Sequence, residues 1–326
     1  MMQRQSDSTN MTRLRAVSSR QNALVKQLRR AFAQSEATDD GSVAVEGVTL
    51  VEEALRSQRP LRALFVSESG VARAEALLAA LPAGVEALLL PDDVFHSAVA
   101  SQTPQGVAAL VMPLESTLEG LFPAASGDGA GAAFACAELA EAGLADLGLT
   151  ELAIAEADHA AAGLASARRA GSARKAIPLI LGCAGLQDPG NLGTILRSAE
   201  AFGATGVVCT EGTVSAANPK VARASAGSVF RLPCVRTSTA EAVAALRKHH
   251  VRLAVTSSHG GRALHECDLR GAVAIFIGNE GQGVPEALMA AADERIAIPH
   301  STQVESLNAG IAASILLYEA WRQRAR

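Results

Sequence analysis

Several features that would place the protein in a membrane or an oxidising compartment are missing from the sequence. No apolar run reaches the length of a membrane-spanning helix. The polar start MMQRQSDSTNMTRLR lacks the apolar core of an export signal. The five cysteines include no CxxC pair, which predicts reduced, buried thiols. We therefore expect a cytoplasmic protein, and 49% apolar residues in a chain of 326 predict a globular fold with room for two domains.

The net charge of −4 conceals a strong segregation of charge along the chain. Residues 1–30 carry seven basic residues and one acidic residue, and residues 166–236 carry nine basic and three acidic residues. Residues 115–165 carry nine acidic residues and no Lys or Arg. The two basic blocks fit a polyanionic partner such as RNA. Charge alone leaves an ordinary solvated surface equally open.

The sequence divides into four segments. Residues 1–16 are predicted to be a flexible tail, and residues 17–113 a small α/β domain that opens with the basic amphipathic helix SSRQNALVKQLRRAF. Residues 114–175 are rich in Ala and Gly, which indicates an acidic tether or insertion of low complexity, or a third small subdomain. In residues 176–326, apolar strands alternate with helices, which predicts a parallel sheet covered on both faces.

The stretch QDPGNLGTILRSAEAFGA, residues 187–204, reads as a tight turn followed by a helix. Asn191 is a candidate helix cap, where free N–H groups suit an anion. Gly193 and Arg197 are four residues apart and share a helical face, so we expect the glycine to leave space above the arginine for a phosphate or a ribose. The alternative is a surface helix with an exposed arginine.

The stretch IFIGNEGQGVPEAL, residues 275–288, predicts a buried strand that runs into a glycine-rich loop. The glycines would let the backbone approach a ligand at the carboxyl end of the strand, or would simply form a turn. Their G-x-x-G-x-G spacing is neither the dinucleotide fingerprint nor a P-loop, which disfavours a dinucleotide-dependent oxidoreductase. Glu280 within the loop would repel a phosphate and suits a cationic or hydroxyl-bearing ligand.

A third stretch, IPHSTQVESLNAGIAASILLYEA at residues 298–320, places Ser306 and Asn308 at the start of a long helix, where one or both can cap it. Together the three stretches closely resemble the SpoU (TrmH-like) ribose 2′-O-methyltransferases of the SPOUT class. The resemblance covers residues 176–326, including NPKVARASAGSVFRLP between the first two motifs. SSRQNALVKQLRRA and EGVTLVEEAL in the first domain are similar to the ribosomal-protein-like RNA-binding domain that precedes many members.

The resemblance implies a trefoil-knotted α/β domain, S-adenosyl-L-methionine as methyl donor, RNA as substrate and a homodimer. By motif position, the implied catalytic and substrate-contacting set is Asn191, Arg197, Glu280, Ser306 and Asn308. The implied cofactor-binding set is Thr256, Gly278, Asn279, Gly281, Ile298 and Leu307. The RNA-binding candidates are Arg20, Lys26, Arg29 and Arg223. The sequence departs from the family at Ala184, where an aspartate is common, and at His300-Ser301-Thr302, where Met and Gly are more usual.

Arg197 has two candidate roles in this chemistry. The family reading often makes this arginine the base, but a guanidinium is almost never neutral in a protein. We therefore expect Arg197 to hold a phosphate and to lower the pKa of the ribose hydroxyl by its charge, while Ser306, Asn308 and Glu280 hold the ribose.

The first domain favours large-subunit ribosomal RNA over transfer RNA, and a non-catalytic RNA-binding assembly factor is the rival function. Histidines 249, 250, 259 and 265 lie near Cys267 in the sequence but match no zinc spacing, so we expect no metal.

Overall fold

The computed structural model describes residues 13–122, 177–258, 260–301 and 303–325. The start of the predicted tail, most of the predicted insertion, Cys136, His259 and Thr302 lie outside these residues. Within them, no helix is both long enough and apolar enough to cross a bilayer.

Residues 13–122 form a mixed five-stranded sheet with helices against it. Its elements are β1 (Leu14–Ala16), α1 (Ala23–Gln34), β2 (Val43–Glu46), α2 (Val48–Arg56), β3 (Leu61–Ser67), α3 (Val71–Ala80), β4 (Glu86–Leu90), α4 (Asp92–His96) and β5 (Val107–Val111). The strand order is β1-β4-β3-β5-β2, and β5 runs antiparallel to both of its neighbours. In α1, Leu24, Leu28 and Phe32 are buried as their helical spacing predicts. The α/β prediction for this part of the chain is confirmed.

The predicted tail extends too far, because its last residues form the edge strand β1. Leu14 pairs in parallel with Ala87 of β4, and the Arg13 guanidinium donates to the Leu78 and Pro82 carbonyls at 2.9 Å each. Arg15 adds an ion pair with Glu86 at 3.1 Å. A strand of three residues is too short to show an alternating pattern, so pairing with a distant strand decides its conformation.

Residues 178–325 form a seven-stranded sheet in which every pairing is parallel. The elements are β6 (Leu179–Cys183), α5 (Pro189–Ala201), β7 (Gly206–Cys209), α6 (Pro219–Ala224), β8 (Cys234–Arg236), α7 (Thr239–Lys248), β9 (Arg252–Thr256), β10 (Arg262–Ala263), β11 (Val273–Ile277), α8 (Glu286–Ala291), β12 (Glu294–Ala297) and α9 (Ala309–Arg324). The strand order is β10-β12-β9-β11-β6-β7-β8.

Both faces of this sheet are covered, as predicted. Leu179 and Leu181 of β6 pack with the apolar stripes of α5 and α9. Ile180, between them, packs on the opposite face with the apolar sides of α7 and α8. Successive residues of a strand point to opposite faces, so a strand buried on both sides is apolar throughout.

The predicted insertion begins later than residue 114. Leu121 and Phe122 are buried in the same core cluster as Ile180, and the Phe122 ring stacks on His249 with centroids 4.1 Å apart. The Glu119 carboxylate lies 2.8 Å from Lys248 Nζ and 2.7 Å from His249 Nε2, and these contacts hold the pKa of Glu119 below its ordinary value. Residues 114–122 thus connect the two sheets, and their sequence LESTLEGLF is too short and irregular to have identified Leu121 and Phe122 as core residues.

The two sheets share a core. Phe230 and Ala222 follow β7 in the sequence, but they pack in the cluster built by β2, α2 and β5. Beside them, Arg231 binds Glu200 at 2.6 Å and Glu53 of α2 at 2.5 Å. The two halves of the chain are therefore fastened by apolar burial reinforced with a half-buried ion-pair cluster.

Phe230→Ala should lower the free energy of unfolding by roughly 3–5 kcal/mol, because it opens a cavity where the two halves meet. Chemical denaturation followed by circular dichroism measures this change. Phe230→Leu keeps most of the apolar volume and should cost clearly less. Equal stability of Phe230→Ala and the native protein would show that this contact does not fasten the halves.

Candidate active site

The three sequence motifs meet at one edge of the parallel sheet. β6, β9, β11 and β12 all end there, since parallel strands point their carboxyl ends the same way. This edge is where open α/β sheets bind their ligands. Asn191 near the start of α5, Glu280 after β11 and Asn308 before α9 are brought together at this edge.

The start of α5 frees the Asn191 side chain for this contact. The helix begins at Pro189, and Asp188 is its cap, with Asp188 Oδ1 accepting from Asn191 N at 2.9 Å. The prediction that Asn191 caps the helix is therefore wrong. Proline suits the first helical position because it has no N–H to satisfy, which moves the cap to Asp188. Asn191 Nδ2 instead donates to Glu280 Oε1 at 2.9 Å.

Glu280 joins the three motifs through one carboxylate oxygen. In addition to Asn191, its Oε1 accepts from Asn308 Nδ2 at 3.1 Å and from the backbone N–H of Ala309 at 3.0 Å. Asn308 Nδ2 also donates to Asn191 Oδ1 at 2.8 Å, while Asn308 Oδ1 caps α9 by accepting from Ile311 N at 3.2 Å. We call Asn191, Glu280 and Asn308 the carboxamide junction. A carboxylate with several donors on one oxygen holds both amides in a defined orientation.

The glycines after β11 serve the closure of their own loop. A Cβ on Gly278 would lie 2.0 Å from the Gly283 carbonyl carbon, so only glycine lets the loop fold back. Asn279 and Gly283 exchange backbone hydrogen bonds of 3.1 and 2.7 Å, and Gly283 has φ +70°. Asn279 Oδ1 accepts from Gly281 N at 2.8 Å, and Asn279 Nδ2 donates to the Gly185 carbonyl at 3.2 Å. We expected these glycines to make room for a ligand. At Gly278, the missing Cβ instead makes room for Gly283 of the same loop.

An open cleft with an empty volume of about 660 Å³ lies beside the carboxamide junction. Most of the predicted cofactor-binding residues line it: Thr256, Gly278, Asn279, Ile298 and Leu307. The predicted Gly281 is exposed and does not line the cleft. Glu280 and Ser306 of the predicted catalytic set line it as well. Apolar and hydrogen-bonding side chains thus converge on one concave surface, as they do in small-molecule sites.

Some lining residues were not identified from the sequence. The main ones are Ser257, Ser258 and His300. The two serines directly follow β9. Their position at the carboxyl end of a buried strand could have predicted that they line a ligand site. His300 Nδ1 lies 2.8 Å from the Ile298 carbonyl, which fixes the ring. Its place at the cleft depends on the path of a loop that has no periodic pattern.

Arg197 does not join the carboxamide junction. Its side chain is exposed on α5 and makes no hydrogen bond or ion pair with the part of the chain described here. Gly193 leaves no space for a ligand, because its Cβ would lie 2.4 Å from Ala224 Cβ of α6. The glycine thus admits a neighbouring helix, and that expectation is wrong. Arg197 is nevertheless available to a partner from outside.

Comparison with known proteins agrees with this geometry. Residues 178–318 match the SpoU rRNA Methylase family, and residues 44–117 match the family described as RNA 2′-O ribose methyltransferase substrate binding. Residues 178–318 therefore form a SpoU methylase domain, and residues 44–117 lie in a SpoU substrate-binding domain. The two matches cover both halves of the molecule in the order expected from the sequence.

Several relatives of this chain are named as RNA-modifying enzymes. The 23S rRNA (guanosine(2553)-2′-O)-methyltransferase RlmP of Bacillus subtilis (strain 168) is 28% identical over 306 residues, which is 94% of this chain and 98% of that protein. The 23S rRNA (guanosine-2′-O-)-methyltransferase RlmB of Xanthomonas campestris pv. campestris is 38% identical over 151 residues, 46% of this chain and 60% of that protein.

Solved structures share the architecture. A crystal structure of an RNA 2′-O ribose methyltransferase has a TM-score of 0.64 at 28% identity and covers 96% of this chain and 100% of its own. The AdoMet-bound rRNA methyltransferase from Sinorhizobium meliloti has a TM-score of 0.69 at 24% identity, covering 95% of this chain and 98% of its own. The latter likeness shows the fold alone.

The predicted RNA-binding residues do not line the cleft. Arg20 pairs with Asp93 at 2.7 Å, and Arg29 Nη2 donates to the Arg20 carbonyl at 2.9 Å. Lys26 is exposed on α1. Arg223 is exposed on α6, where it lines a groove between the two halves of the chain. Arg20 and Arg29 thus help to hold the start of α1, whereas Arg223 and Lys26 are free to meet a partner.

The cysteines that the structure describes lie within the packing of the second half. The four described cysteines are free, and Cys183 is buried in β6, as predicted. Hydrogen bonding with Cys183, together with burial, raises the pKa of the Cys209 thiol, and contact with Cys209 and burial raise the pKa of Cys234. A raised pKa disfavours the reactive thiolate. No group of three or more metal-ligating side chains occurs among the described residues.

The effects of Glu280→Ala and Asn191→Ala on the free energy of unfolding should not be additive, because each substitution removes the hydrogen-bond partner of the other residue. Denaturant unfolding of the single and double variants should give a coupling free energy between about 0.5 and 3 kcal/mol. Glu280→Ala combined with Arg197→Ala is the control pair. Their effects should add within about 0.5 kcal/mol, as expected of residues without a shared partner. Additivity in the first pair would contradict the junction.

Proposed function

We propose that the protein transfers a methyl group from S-adenosyl-L-methionine to a ribose 2′-hydroxyl of RNA, in large-subunit ribosomal RNA. The observation that carries the proposal is the carboxamide junction at the mouth of the cleft, in a chain that contains a SpoU methylase domain. The names of RlmP and RlmB support ribosomal RNA as the substrate class. In this proposal, residues 14–122 are the RNA substrate-binding domain and residues 178–325 the methyltransferase domain.

The lining of the cleft suits the chemical groups of S-adenosyl-L-methionine. Ile277, Ile298 and Leu307 offer apolar surface to an adenine ring. Thr256 and Ser306 offer hydroxyls to its ribose and amino-acid groups. The bound cofactor supplies an electrophilic methyl group on a positively charged sulfur, and its transfer requires no metal. The exposed carboxylate Glu280 at the cleft complements that positive charge.

The chain's own residues then have to place a hydroxyl in line with the methyl carbon. Glu280 orients the amides of Asn191 and Asn308. Asn191 retains one side-chain N–H, and both amide oxygens can each accept one further hydrogen bond from a ribose. Ser306 adds a hydroxyl at the same edge of the cleft. Positioning of this kind supplies up to roughly 7–11 kcal/mol of the barrier in ideal cases.

Arg197 completes the proposed site from the substrate side. Its guanidinium is exposed and unpaired among the described residues, although it shares α5 with Asn191. A guanidinium binds phosphate through paired hydrogen bonds. Its positive charge would also stabilise the alkoxide that forms when the 2′-hydroxyl loses its proton.

The reaction is tested with labelled S-adenosyl-L-methionine and unmodified ribosomal and transfer RNA, followed by nuclease digestion and identification of the labelled nucleoside. A 2′-O-methylated nucleoside from ribosomal RNA is the expected product. Label in transfer RNA alone would overturn the substrate class. No transfer to either RNA by a protein that binds the cofactor would favour a non-catalytic RNA-binding assembly factor.

Arg197→Ala should abolish turnover while it leaves the cofactor dissociation constant within a few-fold of the native value. Single-turnover methyl transfer and calorimetric titration of the cofactor measure the two effects. Arg197→Lys keeps a charge that can bind phosphate and should retain partial turnover, and Arg270→Ala, another exposed arginine, should be neutral. Loss of cofactor binding in Arg197→Ala would contradict the place of this residue on the RNA side.

We also propose that the protein is a cytoplasmic homodimer, with the trefoil knot that the family resemblance implies. An exposed aromatic patch supports the dimer. Phe202, Tyr318 and Trp321 contact one another, with ring centroids 5.7–6.3 Å apart. Tyr318, Trp321 and Ile311 of α9 are 49%, 45% and 54% exposed. Large apolar side chains grouped at a surface mark an interface.

Trp321→Glu should convert the dimer to a monomer, because a carboxylate cannot be buried in an apolar interface without a partner. Sedimentation velocity over a range of protein concentrations measures the change. Ala79→Glu, which adds the same charge at an exposed position on α3, is the control and should remain dimeric. A monomeric native protein would overturn the proposed assembly.

A further inference from the structure

A polar groove that shares no lining residue with the cofactor cleft runs between the two halves of the chain. Two adjoining cavities, with empty volumes of about 1060 and 530 Å³, share Glu46, Ser101 and Arg223 among their lining residues. Because these three residues line both, the two depressions are adjacent, and we treat them together as the interdomain groove. α2 borders it at one end, and Ser35, after α1, at the other.

The walls of the interdomain groove are fixed by the contacts that join the halves. Arg231 holds Glu53, and Phe230 is buried in the core of the first half. At Gly227, with φ +86°, a Cβ would lie 2.7 Å from Glu53 Cβ, so the backbone meets α2 directly. A groove with both walls anchored is preformed, which lowers the entropic cost of filling it.

The interdomain groove also adjoins the proposed active site. Arg223 precedes Ala224, whose Cβ fills the space above Gly193 on α5. Gly193 is two residues from Asn191 of the carboxamide junction. The groove and the site are thus on neighbouring helices in direct contact, and packed helices lie about 8–10 Å apart. A chain in the groove could continue to the site within a few nucleotides.

The lining of the groove combines cations with neutral hydrogen-bonding groups. Arg223 and Lys220 are exposed, and neither side chain has a hydrogen bond or ion pair with the residues that the structure covers. Ser101, Thr103 and Gln105 supply hydroxyl and amide groups. Unpaired cations suit phosphates, and hydroxyl, amide and carboxylate groups suit the exposed edges of unpaired bases.

We propose that the interdomain groove binds a short single-stranded RNA segment next to the target nucleotide, with Arg223 and Lys220 on phosphates and Glu46 on a base edge. This inference rests on the proposed function, and it names the path that the substrate takes. A carboxylate in a phosphate-binding groove is unfavourable unless it faces a base, where it can accept from an amino group of cytosine or guanine. Double-stranded RNA, whose base edges are already paired, fits this lining less well.

Arg223→Ala and Lys220→Ala, made in the full chain, test the proposed binding of phosphates. Equilibrium binding of unmodified ribosomal RNA fragments should weaken about tenfold or more for each variant. The slope of log affinity against log salt should fall by about 0.7 for each phosphate that the variant no longer neutralises. Arg270→Ala, an exposed arginine that does not line the groove, should change neither quantity. Cofactor affinity should remain unchanged in all three variants.

Glu46→Gln tests the base contact separately. It should change the preference for the base that faces it and leave the salt slope as it is. RNA containing 4-thiouridine, crosslinked by light, should label peptides containing Ser101–Gln105 or α6. Crosslinks confined to α1, or Arg223→Ala with native affinity and native salt slope, would overturn the inference.

The inference and the proposed function can fail separately. Native methyl transfer with unaffected RNA binding in Arg223→Ala rejects the groove and keeps the reaction. Absence of methyl transfer in the native protein, combined with weakened binding in Arg223→Ala, rejects the reaction and keeps the groove.

Discussion

Glu280 Oε1 accepts three hydrogen bonds, from two carboxamides and one backbone N–H. These bonds tie together the start of α5, the loop after β11 and the start of α9, which are separated by 89 and 28 residues in the sequence. Each of these segments is a strand-to-helix connection with little regular structure of its own. Asn191 and Asn308 also hydrogen-bond to each other, and the shared acceptor fixes the orientation of both amides at the cleft. The local geometry of the site therefore depends on this carboxylate more than on any single helix or strand.

The carboxylate can act this way because the parallel sheet brings its neighbours within reach. The middle strands are apolar on both faces, so their order is fixed by burial and their ends are aligned. The Gly278 to Gly283 closure then turns the chain back at the end of β11 and presents Glu280. Burial sets the position of the loops to within a few ångströms, and hydrogen bonds select the orientation of the side chains.

The parts of the fold that follow from period and propensity were predictable from the sequence. Most strands of the two sheets, the stripe of Leu24, Leu28 and Phe32, and the parallel sheet of the second half all express local patterns. Features decided by distant partners were not predictable. β1 depends on β4, and Leu121 and Phe122 depend on a core built mostly by residues far along the chain. Gly193 and Gly278 were identified as special, but what each one admits is another part of the protein.

The residues of the candidate site also divide into those that were predictable from the sequence and those that were not. The resemblance to a family identified about half of the residues that line the cleft, whereas the cap at Asp188 and the lining by His300 depend on contacts that the sequence does not reveal. Spacing along the chain can indicate that Asn191, Glu280 and Asn308 matter. It cannot indicate which of them orients the others, because that depends on which donor meets which acceptor.

The arginines of the second half separate into two groups by their partners. Arg231 is held by Glu200 and Glu53, and its charge is used in joining the two halves. Arg197 and Arg223 are exposed and have no acidic partner among the described residues. An ion pair with a carboxylate would have stabilised the fold only slightly, because exposed ion pairs contribute about 0–1 kcal/mol to the free energy of unfolding. An unpaired guanidinium, in contrast, keeps its full capacity for phosphate. The lack of an acidic partner for Arg197 on α5 and for Arg223 on α6 therefore costs the fold little, and it leaves two exposed cations on neighbouring helices that can bind an RNA backbone.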